Sequence, residues 1–494
     1  MAYPWSNAFM SVATGVLGLT VLTRFNRLLG TMPERRLPKA MVHAGWSLVM
    51  LVMWSGLSTI WSGDVAASLN DMRVKLPLAA GGLALVVMAR EGTWPQARWF
   101  DGVLKVAVGS ALLATFSIVF LDLLDGGDQG GRQASRFISH IRFGLWWALL
   151  LPWVCHRLAA HWRWVALVGA VLAWTWIEGL TGLLVAMALA PWWLTAWSAH
   201  GSSALSEWPN PSRVMRTTKA LLVVAVPVFC LFAWAMPTSR PEADALPSVS
   251  AGGETYVHKL DRRVTENGHH VWVEVAWGEL MQGWEAMSEV PFAEIEGALV
   301  RFLSSKGLPK DKQGLAVLSE EEMAAVERGV PSVVELRGGP WSKRWNRFKY
   351  NWGEWLDGNR SPGASILARS VYQEVGVRAW ANIPAPLWLT GCGPGTDGKW
   401  LGTAYEASFP EWPKGGRKRP HNQFVTLLLS AGLIGLVLFF WVLKSLWHHP
   451  PARPGVLLLA LSCLTEDTLE TQAGVTLAIV ALAWGTFIPF QRGR

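Results

Sequence analysis

Apolar residues along this chain fall into long, uninterrupted runs, and most polar residues are gathered in the segments between them. A run of about 20 apolar residues is long enough to cross the hydrocarbon core of a bilayer as a helix. Eleven runs approach that length, the third, sixth and tenth being the shortest. They cover residues 8–23, 44–62, 75–89, 102–124, 141–158, 162–177, 180–198, 218–236, 422–447, 454–469 and 472–490. The pattern predicts an all-α polytopic membrane protein.

Basic residues are divided unequally between the two sets of connecting loops, and this asymmetry predicts the orientation of the chain. If the N-terminus lies outside, nearly all arginines and lysines of the short loops lie inside. The short outside loops then carry only Arg73, Arg132 and Arg136, with Arg142 at a helix mouth. We therefore expect residues 1–236 to form about eight transmembrane helices, 237–420 a periplasmic domain, and 421–494 about three more helices. The expected location is the inner membrane, with several spans.

The long outside segment has its own signals of folded structure. Ser319 and Glu322 have the spacing of a capping box for a helix that Gly329 ends. Helical periodicity covers 295–306, residues 361–362 open a helix that runs toward 381, and 271–275 have the pattern of a short strand. We expect a compact, mainly helical external domain.

Composition agrees with a membrane protein and excludes some other classes. Hydrophobic residues make up 51% of the chain, charged residues 16%, and Trp occurs 32 times, a residue that favours membrane–water interfaces. The four cysteines form no disulfide framework. The first apolar run is followed by arginines, so we expect an uncleaved span and no signal peptide. No nucleic-acid partner is expected.

The run Pro-His-Asn-Gln-Phe at 420–424 lies where the outside segment meets an apolar helix. An imidazole titrates near neutral pH and can accept a proton from an attacking hydroxyl, which makes His421 a candidate base. The alternative is that Asn422 only caps the helix and His421 only anchors at the interface. The basic residues at 414–419 just upstream favour anionic headgroups of membrane lipids.

Cationic side chains on the outside face are candidates for binding an anion. Arg142 enters the apolar layer beside His140, and such residues are functional candidates by default, although Arg142 can also reach the interface as a snorkelling side chain. Arg369 and Tyr372 share one face of the predicted external helix. Guanidinium groups bind phosphate oxygens in a fork, so Arg360 and Arg369 suit a diphosphate, while a solvated basic face is the alternative.

Two further features belong to this outside face. Lys75 lies at the outer end of the third run. Its ammonium group either contacts an anion or extends to the membrane interface as a snorkelling side chain. The turn between the last two runs carries Glu466, Asp467 and Glu470, which form a polar cap or hold the arginines in place. We expect no metal and no cofactor, because neither zinc-site spacing nor a phosphate-binding loop is present. Energy for a group transfer would come from an already activated donor.

Together these motifs resemble the O-antigen ligase and polymerase superfamily. The resemblance rests on short runs at 137–144, 391–395, 420–424 and 430–436, in this order around one large external loop. The runs at 266–272, 301–308 and 466–472 are similar to a branch common in Bacteroidetes. Relatives often have twelve spans, so the expected count is 11–12. Many of them have an arginine before Thr-Gly in a middle span, where this chain has Leu180.

The resemblance implies a metal-independent, lipid-donor glycosyltransferase. It would transfer O-antigen glycan from undecaprenyl diphosphate to lipid A–core at the periplasmic face. By the same resemblance, His421 activates the acceptor hydroxyl, and Arg142 with Arg369 binds the diphosphate and stabilises it as the leaving group.

Other functions remain open at this stage. A polymerase would use the same donor with another lipid-linked repeat as acceptor. A transporter for the lipid-linked glycan predicts polar residues near mid-membrane and a symmetric repeat, and the sequence has neither. A structural or signalling membrane protein whose external domain binds a partner is a third class.

Overall fold

The computed structural model is helical almost throughout, which confirms the all-α class. It describes residues 7–24, 39–91, 97–124, 138–177, 179–198, 211–234, 236, 239–242, 246–360 and 367–485. The chain divides into two compact units, one formed by 1–223 with 369–494 and the other by 224–368. Of the predicted external segment, residues 237–368 therefore belong to the second unit and 369–420 to the first.

The helices and strands follow one another along the chain in three groups. The N-terminal helices are α1 (Asn7–Thr23), α2 (Lys39–Leu57), α3 (Val65–Glu91), α4 (Ala97–Leu124), α5 (His140–Arg157), α6 (Ala160–Trp176), α7 (Leu180–Ala188), α8 (Ala190–Ser198) and α9 (Pro211–Trp234). The middle of the chain forms β1 (Thr265–Glu266), β2 (His269–His270), α10 (Trp277–Glu285), α11 (Phe292–Ser305), α12 (Lys312–Ala316), α13 (Glu320–Glu327), α14 (Val333–Arg337) and α15 (Pro340–Leu356). The C-terminal helices are α16 (Leu367–Asn382), α17 (Ala385–Thr390), α18 (Asp397–Ser408), α19 (Gln423–Trp447), α20 (Arg453–Thr465) and α21 (Gln472–Trp484).

In its described residues, each of the eleven predicted apolar runs is mainly helical. The seventh run forms two helices, α7 and α8, which are bent by 61° where they meet. Within the described residues, four helices are long and apolar enough to cross a membrane, or up to five if the bent pair forms one span. The four are Lys39–Trp61, Val65–Arg90, Trp99–Leu124 and Gln423–Trp447. The helical content of the runs is confirmed, and the count of eleven spans stays a prediction.

The core of the first unit is built around α5, whose residues from Phe143 to His156 are all buried. A helix that is apolar on every side is stable only when other helices surround it. Neighbouring helices approach closely at small residues, as is typical of helix pairs in membranes. A Cβ atom added at Gly182 in α7 would lie 2.6 Å from the carbonyl carbon of Gly144 in α5. This contact fixes the first turns of α5, which carry Arg142.

Helix α19 is interrupted at Gly432, whose backbone is not helical (φ 65°, ψ −167°). The glycine-rich turn after α17 packs against α19 at this interruption. A Cβ atom at Gly432 would lie 2.4 Å from the carbonyl oxygen of Leu389, and the backbone N–H of Cys392 donates to the carbonyl of Leu429 at 2.8 Å. The Trp54 indole donates to the carbonyl of Ala431 at 2.8 Å. The predicted sharp turn at 391–395 is thereby locked to α19.

The second unit is mainly helical, as predicted, with one small hairpin in which β1 pairs antiparallel with β2. The capping box between Ser319 and Glu322 is present at the start of α13 and is confirmed. The predicted strand at 271–275 is wrong. Glu274 has a positive φ of 55°, which breaks an extended conformation, and only Val275 makes isolated bridges. The predicted helix start at 361–362 lies outside the described residues.

Candidate functional site

The turn between α20 and α21 brings three buried carboxylates to the first unit's candidate site. Glu466, Asp467 and Glu470 all lie in this turn, and each has at least one partner from a distant part of the chain. A buried carboxylate is stable only when hydrogen bonds or opposite charges compensate for the loss of water. The partners of these three acids therefore define what the site consists of.

His421 lies two residues before the start of α19, with its backbone in the left-handed region at φ 49°. A residue other than glycine adopts this conformation only with local support. Asp467 provides it, because the N–H of His421 donates to Oδ2 of Asp467 at 3.0 Å while the hydroxyl of Thr426 donates to Oδ1 at 2.6 Å. Asn422 caps α19 by accepting from the N–H groups of Phe424 and Val425, which confirms the capping role considered as the alternative.

Glu466 links three of the predicted site residues. Its Oε1 accepts from Nη2 of Arg369 at 2.6 Å, and its Oε2 lies 3.4 Å from Nδ1 of His421. Burial by itself raises the pKa of Glu466, but His421, Arg369 and Arg142 outweigh that effect and hold the pKa below its ordinary value. Arg142 is thus close enough to act electrostatically on the same carboxylate. Residues at 142, 369, 421 and 466 form one charged group, here called the His421 cluster.

Aromatic side chains form one wall of the His421 cluster. The Tyr372 ring lies 5.3 Å from the imidazole of His421, between centroids, and 5.6 Å from the Trp412 ring. Burial raises the pKa of Tyr372, while Arg369 opposes that rise. Tyr372 therefore stays a neutral phenol, packed against the imidazole. Arg369 and Tyr372 reach the cluster from the same face of α16, as their spacing predicted.

A second ionic group lies beside the first and contains Lys75. The ammonium of Lys75 is 2.6 Å from Asp71 and 3.0 Å from Glu470, and both side chains of the latter pair are almost fully buried. Arg419 completes the group through Glu470 at 3.1 Å and Asp397 at 3.0 Å. Burial by itself raises the pKa of Glu470, but Lys75 and Arg419 lower it to about 2. The charge of Lys75 is thus compensated within the protein.

Two other predicted residues are placed differently from the His421 cluster. Arg360 belongs to the second unit, where it is exposed. His140 is the first residue of α5, two positions before Arg142, and is half-buried. Their predicted roles remain predictions. In the described part of the chain, no group of three His, Cys, Asp or Glu side chains has the arrangement to hold a metal ion.

Sequence reasoning missed several residues that shape the site. Asp71 precedes Lys75 by four positions, a spacing that places two side chains together on a helix and that indicates such a pair from sequence alone. Thr426, Asp397 and Trp412 gave no such signal, because their partners are remote in the chain. Arg419 was grouped with lipid-binding basic residues, whereas its guanidinium is held by two buried acids.

The arrangement places an imidazole and the guanidinium of Arg369 at one carboxylate, on which the charge of Arg142 also acts. Guanidinium groups that are not fully neutralised attract phosphate oxygens, and an imidazole with one accessible nitrogen can remove a proton from a hydroxyl. Comparison of the chain with models of known protein families gives no match, and comparison with curated proteins gives no significant match.

Proposed function

We propose that this protein is a membrane-embedded glycosyltransferase of the O-antigen ligase type. It takes a glycan from undecaprenyl diphosphate and transfers it to a sugar hydroxyl of lipid A–core at the periplasmic face of the inner membrane. The observation that carries the proposal is that Glu466 contacts both Arg369, at 2.6 Å, and His421, at 3.4 Å, while the charge of Arg142 acts on the same carboxylate. These residues are far apart in the chain, and they supply a base beside two cations.

The predicted topology supports a membrane setting for this site. Segments assigned to the outside contact one another within the first unit, and segments assigned to the inside do the same. The outside contacts join Trp61 to Gly391, Ser62 to Thr396 and Lys75 to Glu470. The inside contacts join Arg157 to Asp101 and His449 to Gly485. A bundle whose helices cross one bilayer has this segregation, since all loops of one side end at the same surface.

The proposed reaction is a single displacement at the anomeric carbon. The acceptor hydroxyl gives its proton to Nε2 of His421 as its oxygen attacks that carbon. The bond from the anomeric carbon to the diphosphate oxygen breaks, and its electron pair stays on the diphosphate. Arg142 and Arg369 stabilise the charge that develops there, the role that fixed cations play in other phosphate-leaving reactions. The imidazolium then returns its proton to water, and the configuration at the anomeric carbon is inverted.

Lys75 is not assigned to donor binding in this proposal. Its ammonium is 5% exposed and already has two carboxylate partners, so an incoming phosphate would have to displace both. Its role is instead structural, since it anchors the turn that carries Glu466 to helix α3. Arg369 is more accessible and has one carboxylate partner, which a diphosphate can replace.

The test is transfer in vitro with purified protein, lipid-linked glycan and lipid A–core. His421→Ala is expected to lower the rate by about 10²- to 10⁴-fold, the usual contribution of a general base. His448→Ala serves as the matched control, because His448 is an exposed histidine at the far end of α19. Unchanged transfer by the His421 variant would remove this residue from the mechanism.

The acceptor is decided by a deletion strain. Loss of a ligase leaves long lipid-linked polymer that is not attached to lipid A–core. Loss of a polymerase leaves single lipid-linked repeats, and that outcome would replace the proposed acceptor with a second lipid-linked glycan.

A further inference from the structure

The two oxygens of Glu466 are engaged to different degrees. Oε1 makes a short contact of 2.6 Å with Arg369, whereas Oε2 is 3.4 Å from Nδ1 of His421. A formed N–H···O hydrogen bond has a distance of about 2.7–3.2 Å, so the second contact is not yet one. Nδ1 is buried and makes no hydrogen bond to any described residue. Without a ligand, Glu466 is therefore bound more tightly by the arginine than by the histidine, with which it forms a longer ion-pair contact.

A diphosphate competes directly with Glu466 for Arg369. It carries more negative charge than one carboxylate and presents several oxygens to the guanidinium fork. Glu466 cannot move into water when it is displaced, because it is buried. Nδ1 of His421 is a neighbouring donor that makes no hydrogen bond to a described residue, and less than 1 Å of movement would bring Oε2 within hydrogen-bond range of it.

We propose that Glu466 acts as an exchange carboxylate, which passes from Arg369 to Nδ1 of His421 when a diphosphate binds Arg369. Donor binding then makes His421 a stronger base before the acceptor hydroxyl arrives. A carboxylate at Nδ1 fixes the tautomer that leaves Nε2 free to accept a proton, and it stabilises the imidazolium that forms. The inference deepens the proposed function and rests on it.

The charged and titratable groups around His421 come from four parts of the first unit. Glu466 and Asp467 lie in the turn after α20, Tyr372 and Arg369 on α16, and Arg142 acts through Glu466 from α5. Arg419 lies two residues before His421 in the chain and is paired with Asp397 and Glu470. Asp467 is already engaged by the backbone N–H of His421 and by Thr426. Glu466 is thus the carboxylate that stands at the ring nitrogen.

The decisive experiment follows the protonation of His421 without catalysis. The titration midpoint of the His421 ring is measured by NMR in the purified full-length protein, and His421→Ala identifies its signal. In Arg369→Gln, Glu466 has lost its arginine, so the midpoint is expected to rise by about one pH unit relative to wild type without any ligand. The double variant Arg369→Gln with Glu466→Gln is expected to lose that rise. An equal midpoint in wild type and Arg369→Gln would overturn the proposal.

Addition of farnesyl diphosphate tests the exchange itself. The wild-type midpoint is expected to rise on binding, and in Glu466→Gln the rise is expected to be smaller by about one pH unit. The charge of the ligand is the same in both proteins, so the difference reports Glu466 alone. Glu411→Gln, at an exposed carboxylate of the same unit, should behave as wild type. Equal shifts in wild type and Glu466→Gln would contradict the exchange.

Failure of the inference is distinguishable from failure of the proposed function. If wild type transfers glycan and His421→Ala does not, while Glu466→Gln keeps the wild-type pH profile, only the exchange is wrong. If wild type transfers no glycan and farnesyl diphosphate leaves the His421 signal unchanged, the proposed function falls, and the exchange falls with it. If Glu466→Gln does not fold, the same measurements are made on Glu466→Asp. The shorter aspartate side chain cannot reach both Arg369 and His421.

Discussion

Glu466 carries its charge at a position that solvent barely reaches, since 8% of the residue is exposed. Burial works against its ionisation, whereas His421, Arg369 and Arg142 favour it, and the cations prevail. The functional character of the site thus depends on a carboxylate that sequence alone ranked as a supporting residue. Glu466 lies close to Asp467 and Glu470 in the same turn, and the sequence gives no indication of which of these acids contacts which cation.

The lowered pKa of Glu466 has a consequence for stability. A carboxyl group whose pKa is lower in the folded than in the unfolded state stabilises the fold above the ordinary carboxyl range, and this contribution disappears as the pH falls through the folded pKa. We expect Glu466→Gln to lower the free energy of unfolding by about 1–3 kcal/mol at pH 7. The difference in the free energy of unfolding between wild type and Glu466→Gln should shrink as the pH falls below about 4.5, the ordinary pKa of a glutamate carboxyl group.

Thermal unfolding of the detergent-solubilised variants between pH 3 and 7 measures this gap. Glu411→Gln should match wild type at every pH, because its carboxylate is exposed. A gap that stays constant or widens on acidification would show that Glu466 is not held as a carboxylate.

Helix α19 shows what an apolar pattern predicts and what it does not. The run at 422–447 predicted a helix and a helix is present, but the pattern gave no sign of the break at Gly432. Apolar residues indicate burial, whereas a positive φ depends on what approaches the backbone. The approach comes from the turn after α17, more than 30 residues away in the chain. The strand predicted at 271–275 failed for a related reason, since Glu274 leaves the extended conformation.

Substitution of Gly432 tests whether this break is required. In Gly432→Ala, a positive φ and a Cβ atom 2.4 Å from the Leu389 carbonyl oxygen both oppose folding, so we expect a loss of about 2–4 kcal/mol. Gly402→Ala is the control within α18, where nothing lies within 4 Å of the added atom. It should be neutral or stabilising by up to about 1 kcal/mol. Equal unfolding temperatures for the two variants would mean that α19 does not need the break.

At the scale of the whole molecule, the sequence predicted the kinds of group in the site better than their pairing. An arginine in an apolar segment, an external arginine and a histidine at a helix start were all recognised from type and position. Their pairing depends on which helices are neighbours, and no local pattern specifies that. Lys75 illustrates the limit, because its nearest remote partner, Glu470, lies almost 400 residues further along the chain.

The segregation of loop contacts leads to a prediction about the chain as a whole. If the helices cross one bilayer, Lys414, in the segment before His421, lies on the outer side and His448, at the other end of α19, on the inner side; both residues are exposed. We expect Lys414→Cys to react with a membrane-impermeant maleimide in cells whose outer membrane has been permeabilised. His448→Cys should react only after the inner membrane is opened, because a helix of 25 residues spans the hydrocarbon layer.

Both variants should react after solubilisation in detergent. Wild type gives the background from the native cysteines, of which Cys155, Cys392 and Cys463 are buried. The reverse order of labelling would turn the His421 cluster toward the cytosol, where neither a periplasmic lipid A–core acceptor nor an outward-facing diphosphate donor reaches it.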